Sequence, residues 1–179
     1  FIILLNATNL QKNGPMDSRG SRLNITKTAG TILDLMTHPG SLGVYRWLSP
    51  VDISRMGRSA GVIHAVPCLA LGHSIRIFGE LEGVLESARL RPFAEVDPET
   101  VVFAPALLRI PKSLRDKMGE EGLMQQYSRW RNKTFAGDVV GELSISYVER
   151  HSDKLDVLLL LGGCDLDHTL SGLSKGIVV

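Results

Sequence analysis

Residues 138–161 read DVVGELSISYVERHSDKLDVLLLL, and they carry two strand signatures one after the other. In the first, Val139, Leu143, Ile145 and Tyr147 alternate with Glu142, Ser144 and Ser146. That is the period-two pattern of a strand with one face inward and one face in water. In the second, Leu158–Leu161 has no alternation, so both faces must be covered and the strand belongs in the middle of a sheet. A polar stretch, Glu149–Lys154, separates the two. The spacing predicts a hairpin with a loop of several residues.

Working outward, His73–Glu86 reads HSIRIFGELEGVLE. Its odd positions are mostly apolar and its even ones mostly charged. This predicts another half-solvated strand, with Ile75, Ile77, Leu81 and Leu85 in the core. Gly61–Leu71 is apolar and broken by Pro67, which marks an edge strand or a bulge. Thr100–Leu108 is a strand interrupted by Pro105, and Phe1–Leu5 is a short buried one. Helices fall between the strands. Ala29, Ile32, Leu33 and Met36 share a helical face that ends at His38-Pro39-Gly40. Ser49-Pro50-Val51-Asp52 is a helix start, with a capping hydroxyl, a proline at the first position and an acid in the first turn. Residues 111–132 form two short helices or one kinked helix, weakened at Gly119 and Gly122.

Runs of strands without a βαβ rhythm predict an α+β fold. The expectation is an antiparallel or mixed sheet of about five to seven strands with two to four short helices. No repeat or linker divides the 179 residues, so residues 1–179 read as a single domain. Gln11–Ser21, QKNGPMDSRGS, reads as a mobile loop.

The composition excludes several classes. At 44% hydrophobic and 22% charged, the chain is neither disordered nor a disulfide scaffold. Lys plus Arg is 20 against 19 for Asp plus Glu, so it is not built throughout to hold a polyanion. Val157–Leu161 is far shorter than the roughly 18 apolar residues of a membrane span. Cys68 and Cys164 read as small buried residues, with no CxxC pair to hold zinc. His64 and Cys68 have ligand spacing only on a helix, and on a strand they lie about 13 Å apart. No metal site, cofactor or glycine-rich phosphate loop is read, and the source compartment is left open.

Three chemistries have candidate residues. Asp165-Leu-Asp167-His-Thr169-Leu170 resembles the first motif of the haloacid dehalogenase superfamily. The resemblance implies Asp165 as nucleophile on a phosphoryl group and Asp167 as general acid, with Mg²⁺. That family's further elements lie downstream of the motif, and nine residues follow Leu170 here. Asn6, Asn24 and Asn132 each open an N-x-[ST] sequon, three of only five asparagines, which would suit a secreted glycoprotein. Finally, Arg109, Lys112, Arg115, Lys117, Arg129, Arg131 and Lys133 cluster around the 111–132 helices. As one cationic face they would meet an anionic membrane surface or RNA.

With no catalytic constellation standing out, the sequence predicts a non-enzymatic, self-associating assembly protein of the viral matrix or coat type. It would contact an anionic partner through the basic helices. The phosphate hydrolase and the secreted glycoprotein are the alternatives.

Overall fold

A computed structural model describes residues 1–16, 24–149 and 152–163. In chain order the elements are β1 (Ile2–Ile3), α1 (Ala7–Asn13), α2 (Ile25–Thr37), β2 (Val44–Arg46), α3 (Pro50–Ser59) and β3 (His64–Ser74). Then come α4 (Ile75–Phe78), α5 (Leu81–Arg89), β4 (Ala106–Pro111), α6 (Lys112–Met118), α7 (Glu120–Thr134), β5 (Leu143–Val148) and β6 (Lys154–Leu161). The six strands form one mixed sheet in the order β1-β3-β6-β4-β5-β2. β1–β3 and β4–β5 are parallel, and the other neighbours are antiparallel. The fold is α+β with a mixed sheet, as the strand pattern requires. The helices number seven among the described residues rather than two to four.

Helices cover both faces. On one side Leu81, Val84, Leu85 and Ala88 of α5 and Leu123, Tyr127 and Trp130 of α7 pack on Leu155, Val157 and Leu159 of β6. On the other, Leu10, Ile32, Leu35 and Ile53 of α1–α3 pack on Leu158 and Leu160. β6 is therefore buried on both faces and sits between β3 and β4, where its unbroken leucine run places it.

The hairpin expectation fails. β5 and β6 do not pair, because β4 lies between them. β4 and β5 run parallel, Ala106 opposite Leu143 through Pro111 opposite Val148, and α6 and α7 form the crossover that a parallel pair needs. Ser144 and Ser146, expected in water, are buried. The segment leading to α3 covers them: Ser144 Oγ donates to the Arg46 carbonyl at 2.9 Å and accepts from the Leu48 amide at 3.2 Å. Ser146 Oγ donates to the Leu108 carbonyl at 3.3 Å.

The 73–86 strand is also corrected. β3 ends at Ser74, and the rest becomes α4 and α5. Leu81, Val84, Leu85 and Ala88 stand at i, i+3, i+4 and i+7, one helical stripe, and all four are buried. Ile77, by contrast, is 81% exposed. In α2 the buried stripe is Thr28, Ile32, Leu35 and Met36, so Leu33 faces outward. Of the expected loop 11–21, Gln11–Asn13 form the last turn of α1, Gly14–Met16 follow it, and 17–21 lie outside the described residues.

Two local readings hold. α3 opens with a full capping box: Ser49 Oγ accepts from the Asp52 amide, and the Asp52 carboxylate accepts from the Ser49 amide. Between α6 and α7 the chain turns at Gly119, whose φ of +63° a side chain rarely tolerates.

Leu81→Ala should cost about 2–5 kcal/mol in denaturant unfolding, as for a fully buried leucine. Ile77→Ala should cost less than about 0.5 kcal/mol. The opposite ranking would restore the strand register for 73–86.

Candidate functional site

The seven basic residues do not form one face. Arg109 projects from β4 toward α2, while α6 and α7, which carry the other six, belong to the opposite side of the sheet. Its Nη1 lies 2.7 Å from Asp34 Oδ2, and its Nη2 donates to the carbonyls of Asp34 at 2.8 Å and His38 at 2.7 Å. Arg109 thus binds the His38 carbonyl, shares the Asp34 carbonyl with the His38 amide, and places a cation at the negative pole of α2.

Three other arginines also serve the fold. Arg115 Nε donates to Glu120 at 3.0 Å, and its guanidinium lies 5.4 Å from the centre of the Tyr147 ring. Tyr147 donates to the same carboxylate at 2.6 Å. Burial, followed by the Glu120 carboxylate, pushes the Tyr147 phenol well above its ordinary range. Arg129 reaches Glu82 at 3.1 Å and ties α7 to α5. Arg131 donates to the Gly141 carbonyl at 2.6 Å and lies 5.7 Å from the centre of the Tyr127 ring. Lys112, Lys117 and Lys133 are exposed, but Lys117 and Lys133 line separate hollows, one beside Asp153 and one beside Glu82 and Glu86. With four guanidinium groups committed to partners within the chain, a single polyanion-binding face is not assembled, and nothing supports the membrane or RNA partner.

The sequon asparagines have structural work. Asn6 is 6% exposed and caps α1, its side chain accepting from the amides of Thr8 and Asn9. Asn24 caps α2 by accepting from the Lys27 amide at 2.9 Å. The Asn-x-Thr strings there are helix starts. Asn132 lies within α7. Asp165, Asp167 and Cys164 fall outside the described residues. Cys68 is buried.

The surface that stands out instead is a groove of about 540 Å³ between β1, the end of α2 and the outer side of α3. Its floor is apolar, from Phe1, Ile3, Met36 and Val51, and Arg55 and Arg58 stand along it. Gly57 makes the floor possible, because a Cβ there would come within 2.7 Å of the Phe1 ring. Val51 is 64% exposed, and Leu33 and Ile63 are exposed to a similar degree. Arg55 lies 3.7 Å from Asp52, whose carboxyl the Ser49 hydroxyl and amide hold below the ordinary range. Arg58 is in no ion pair among the described residues. The sequence does hold a signal for this surface. On α3 the buried stripe is Ile53 and Gly57, so Val51 is an apolar residue off the stripe, facing water beside two arginines.

No family model matches the chain, and no curated protein matches it. Solved structures do match its fold. An FtsZ dimer from M. jannaschii superposes with a TM-score of 0.55 at 14% identity, over 90% of this chain and 44% of that one. A GTPγS-form protofilament of TubZ from Bacillus thuringiensis serovar israelensis gives 0.60 at 15% identity, over 94% of this chain and 44% of that one. The GDP-form protofilaments of that TubZ give 0.52 at 13%, over 84% and 39%. The chain thus spans less than half the length of these proteins, and the likeness is one of fold. It overturns the viral matrix or coat expectation, since the fold found is that of FtsZ and TubZ.

Glu86 gives this architecture a pH dependence. A hydrogen bond from Arg89, and then one from the Trp130 indole, hold its carboxyl below the ordinary range. A depressed folded-state value stabilises the fold above the unfolded pKa of about 4.3, and that stabilisation is lost as pH falls. The melting temperature should drop as pH falls through and below 4, and Glu86→Gln should flatten that part of the profile. An unchanged profile in the variant would remove Glu86 from the acid response.

Proposed function

We propose that this chain is the assembly-bearing part of a subunit that polymerises into protofilaments under the control of a guanine nucleotide. The observation that carries the reading is the fold likeness over 94% of the chain to TubZ, solved as a GTPγS-form protofilament. An FtsZ dimer and a four-stranded TubZ filament share the fold. The α2–α3 groove supplies a contact surface of suitable chemistry. It exposes Val51, which gains from burial, and two arginines that set orientation against an acidic counterpart, and Leu33 of α2, outside the groove's lining, is a further exposed apolar side chain. The nucleotide enters only through the TubZ forms, GDP and GTPγS, that those structures carry.

The test is sedimentation and negative-stain microscopy of the full chain with GTPγS, with GDP and without nucleotide. The expected result is concentration-dependent polymer that differs in amount between the GTPγS and GDP samples. The double variant Leu33→Glu, Val51→Glu should abolish pelleting with an unchanged melting temperature, because both positions are exposed in the monomer. A chain that stays monomeric in all three conditions would overturn the reading. So would a double variant that assembles as well as the parent.

A further inference from the structure

A second cavity, of about 390 Å³, lies where the end of α1 meets the second half of β3. Among the described residues its ionisable lining consists of Lys12, His73 and Arg91, with no carboxylate. Leu69, Leu71 and Met16 supply an apolar wall. The volume falls in the range of small-molecule sites, about 300–1,000 Å³.

The walls are held in place before any ligand arrives. Asn13 Nδ2 donates to the Pro92 carbonyl at 2.9 Å, which fixes the end of α1 to the residue after Arg91. The His73 ring is anchored at both nitrogens: Nδ1 lies 3.2 Å from the Leu71 carbonyl and Nε2 lies 3.3 Å from Ser87 Oγ of α5. It also packs on the Phe78 ring of α4, with centroids 5.0 Å apart.

The charges around the cavity are poorly balanced. Neither Lys12 nor Arg91 is in an ion pair among the described residues, and both are exposed. His73 is held below its ordinary pKa, first by burial and then, against the Leu71 carbonyl, by the Arg91 charge. The acid that faces it is Asp156 of β6, outside the cavity lining, with Oδ1 accepting from the Gly72 amide at 2.8 Å. Lys12 and Arg91 bring like charge to one hollow, and an anion placed there is attracted to both and favours protonation of His73.

We infer that this cavity binds a small organic oxyanion, a carboxylate or phosphate group carried on an apolar body. The oxyanion meets Arg91 and Lys12, where the planar guanidinium can donate to two oxygens at once. The apolar body lies against Leu69, Leu71 and Met16. Specificity then requires both halves of the ligand, since a bare anion leaves the apolar wall wet and a neutral molecule leaves the bases unsatisfied.

The test is a titration of the full chain with phenyl phosphate, with benzoate and with benzyl alcohol, following the His73 ring and the Met16 methyl by NMR. At least one of the two oxyanions should shift both signals saturably, and which one does so identifies the head group. Benzyl alcohol should shift neither. The bound anion favours the imidazolium, so the His73 pKa should rise on saturation and affinity should increase as pH falls through it. Arg91→Gln and Lys12→Gln should each weaken binding by about tenfold or more, the effect of losing a charge-assisted hydrogen bond. Lys27→Gln on α2 should leave binding unchanged. Absence of a saturable shift with either oxyanion would overturn the inference. Equal binding of benzyl alcohol, or undiminished binding by the Arg91 variant, would do the same. None of these readouts depends on whether the chain polymerises.

Discussion

β6 is flanked by strands on both sides and covered by helices on both faces, and the rest of the architecture is arranged to satisfy it. Leu155, Val157 and Leu159 point to the α5–α7 layer, and Leu158 and Leu160 to the α1–α3 layer. A strand with no wet face needs two helix layers. Its backbone groups need a partner strand on each side, which β3 and β4 provide in antiparallel register. Once β4 occupies the side away from β3, β5 can join the sheet only beyond it. The parallel β4–β5 pair then requires α6 and α7 as a crossover lying over one face. α7 in turn supplies Tyr127, whose hydroxyl donates to the buried Ala104 carbonyl at 2.7 Å just before β4 begins. The crossover and the strand entry are thus locked to each other.

This logic separates what was legible in the sequence from what was not. Central position was legible in β6, because a run of leucines with no alternation has one physical meaning in a sheet. The start of α3 was legible because proline, serine and aspartate at the right offsets act on their own backbone. Pairing was not legible: β5 and β6 adjoin in sequence, and only the insertion of β4, drawn from 37 residues before β5, separates them. The 73–86 segment failed for a different reason. Its glutamates and glycines satisfy a period of two, while Leu81, Val84, Leu85 and Ala88 satisfy 3.6. Two periods coexist in a short window, and packing against Leu123, Tyr127 and Trp130 decides between them.

Side-chain roles show the same division. Asparagine before x-Thr signals a glycan and a helix cap with the same letters, and at Asn6 burial selects the cap. An arginine-rich stretch signals an anionic partner only while its own acids are out of sight. Here Asp34 stands 75 residues from Arg109, and Glu82 stands 47 from Arg129. Each of these pairs closes a loop that composition cannot reveal. Lys112, Lys117 and Lys133 of that cluster stay exposed on separate surfaces, and Arg58, Lys12 and Arg91, also outside the ion pairs among the described residues, lie elsewhere.

The sheet's edges bear on how such a chain can associate. Both edge strands are short, two residues in β1 and three in β2, and β2 is irregular in register and carries the Arg46–Glu142 ion pair at 2.7 Å. The short, irregular and charged β2 edge disfavours joining one sheet to another there. Helical faces, where exposed apolar side chains stand on rigid elements, are better suited to contact between copies than that edge. α3 is suited to this, because its capping box fixes its first turn and Ile53 and Gly57 anchor its inner side. Val51, Arg55 and Arg58 are thereby presented on a surface that does not have to reorganise when it is covered, and a preformed surface of this kind keeps the ordering cost of association low.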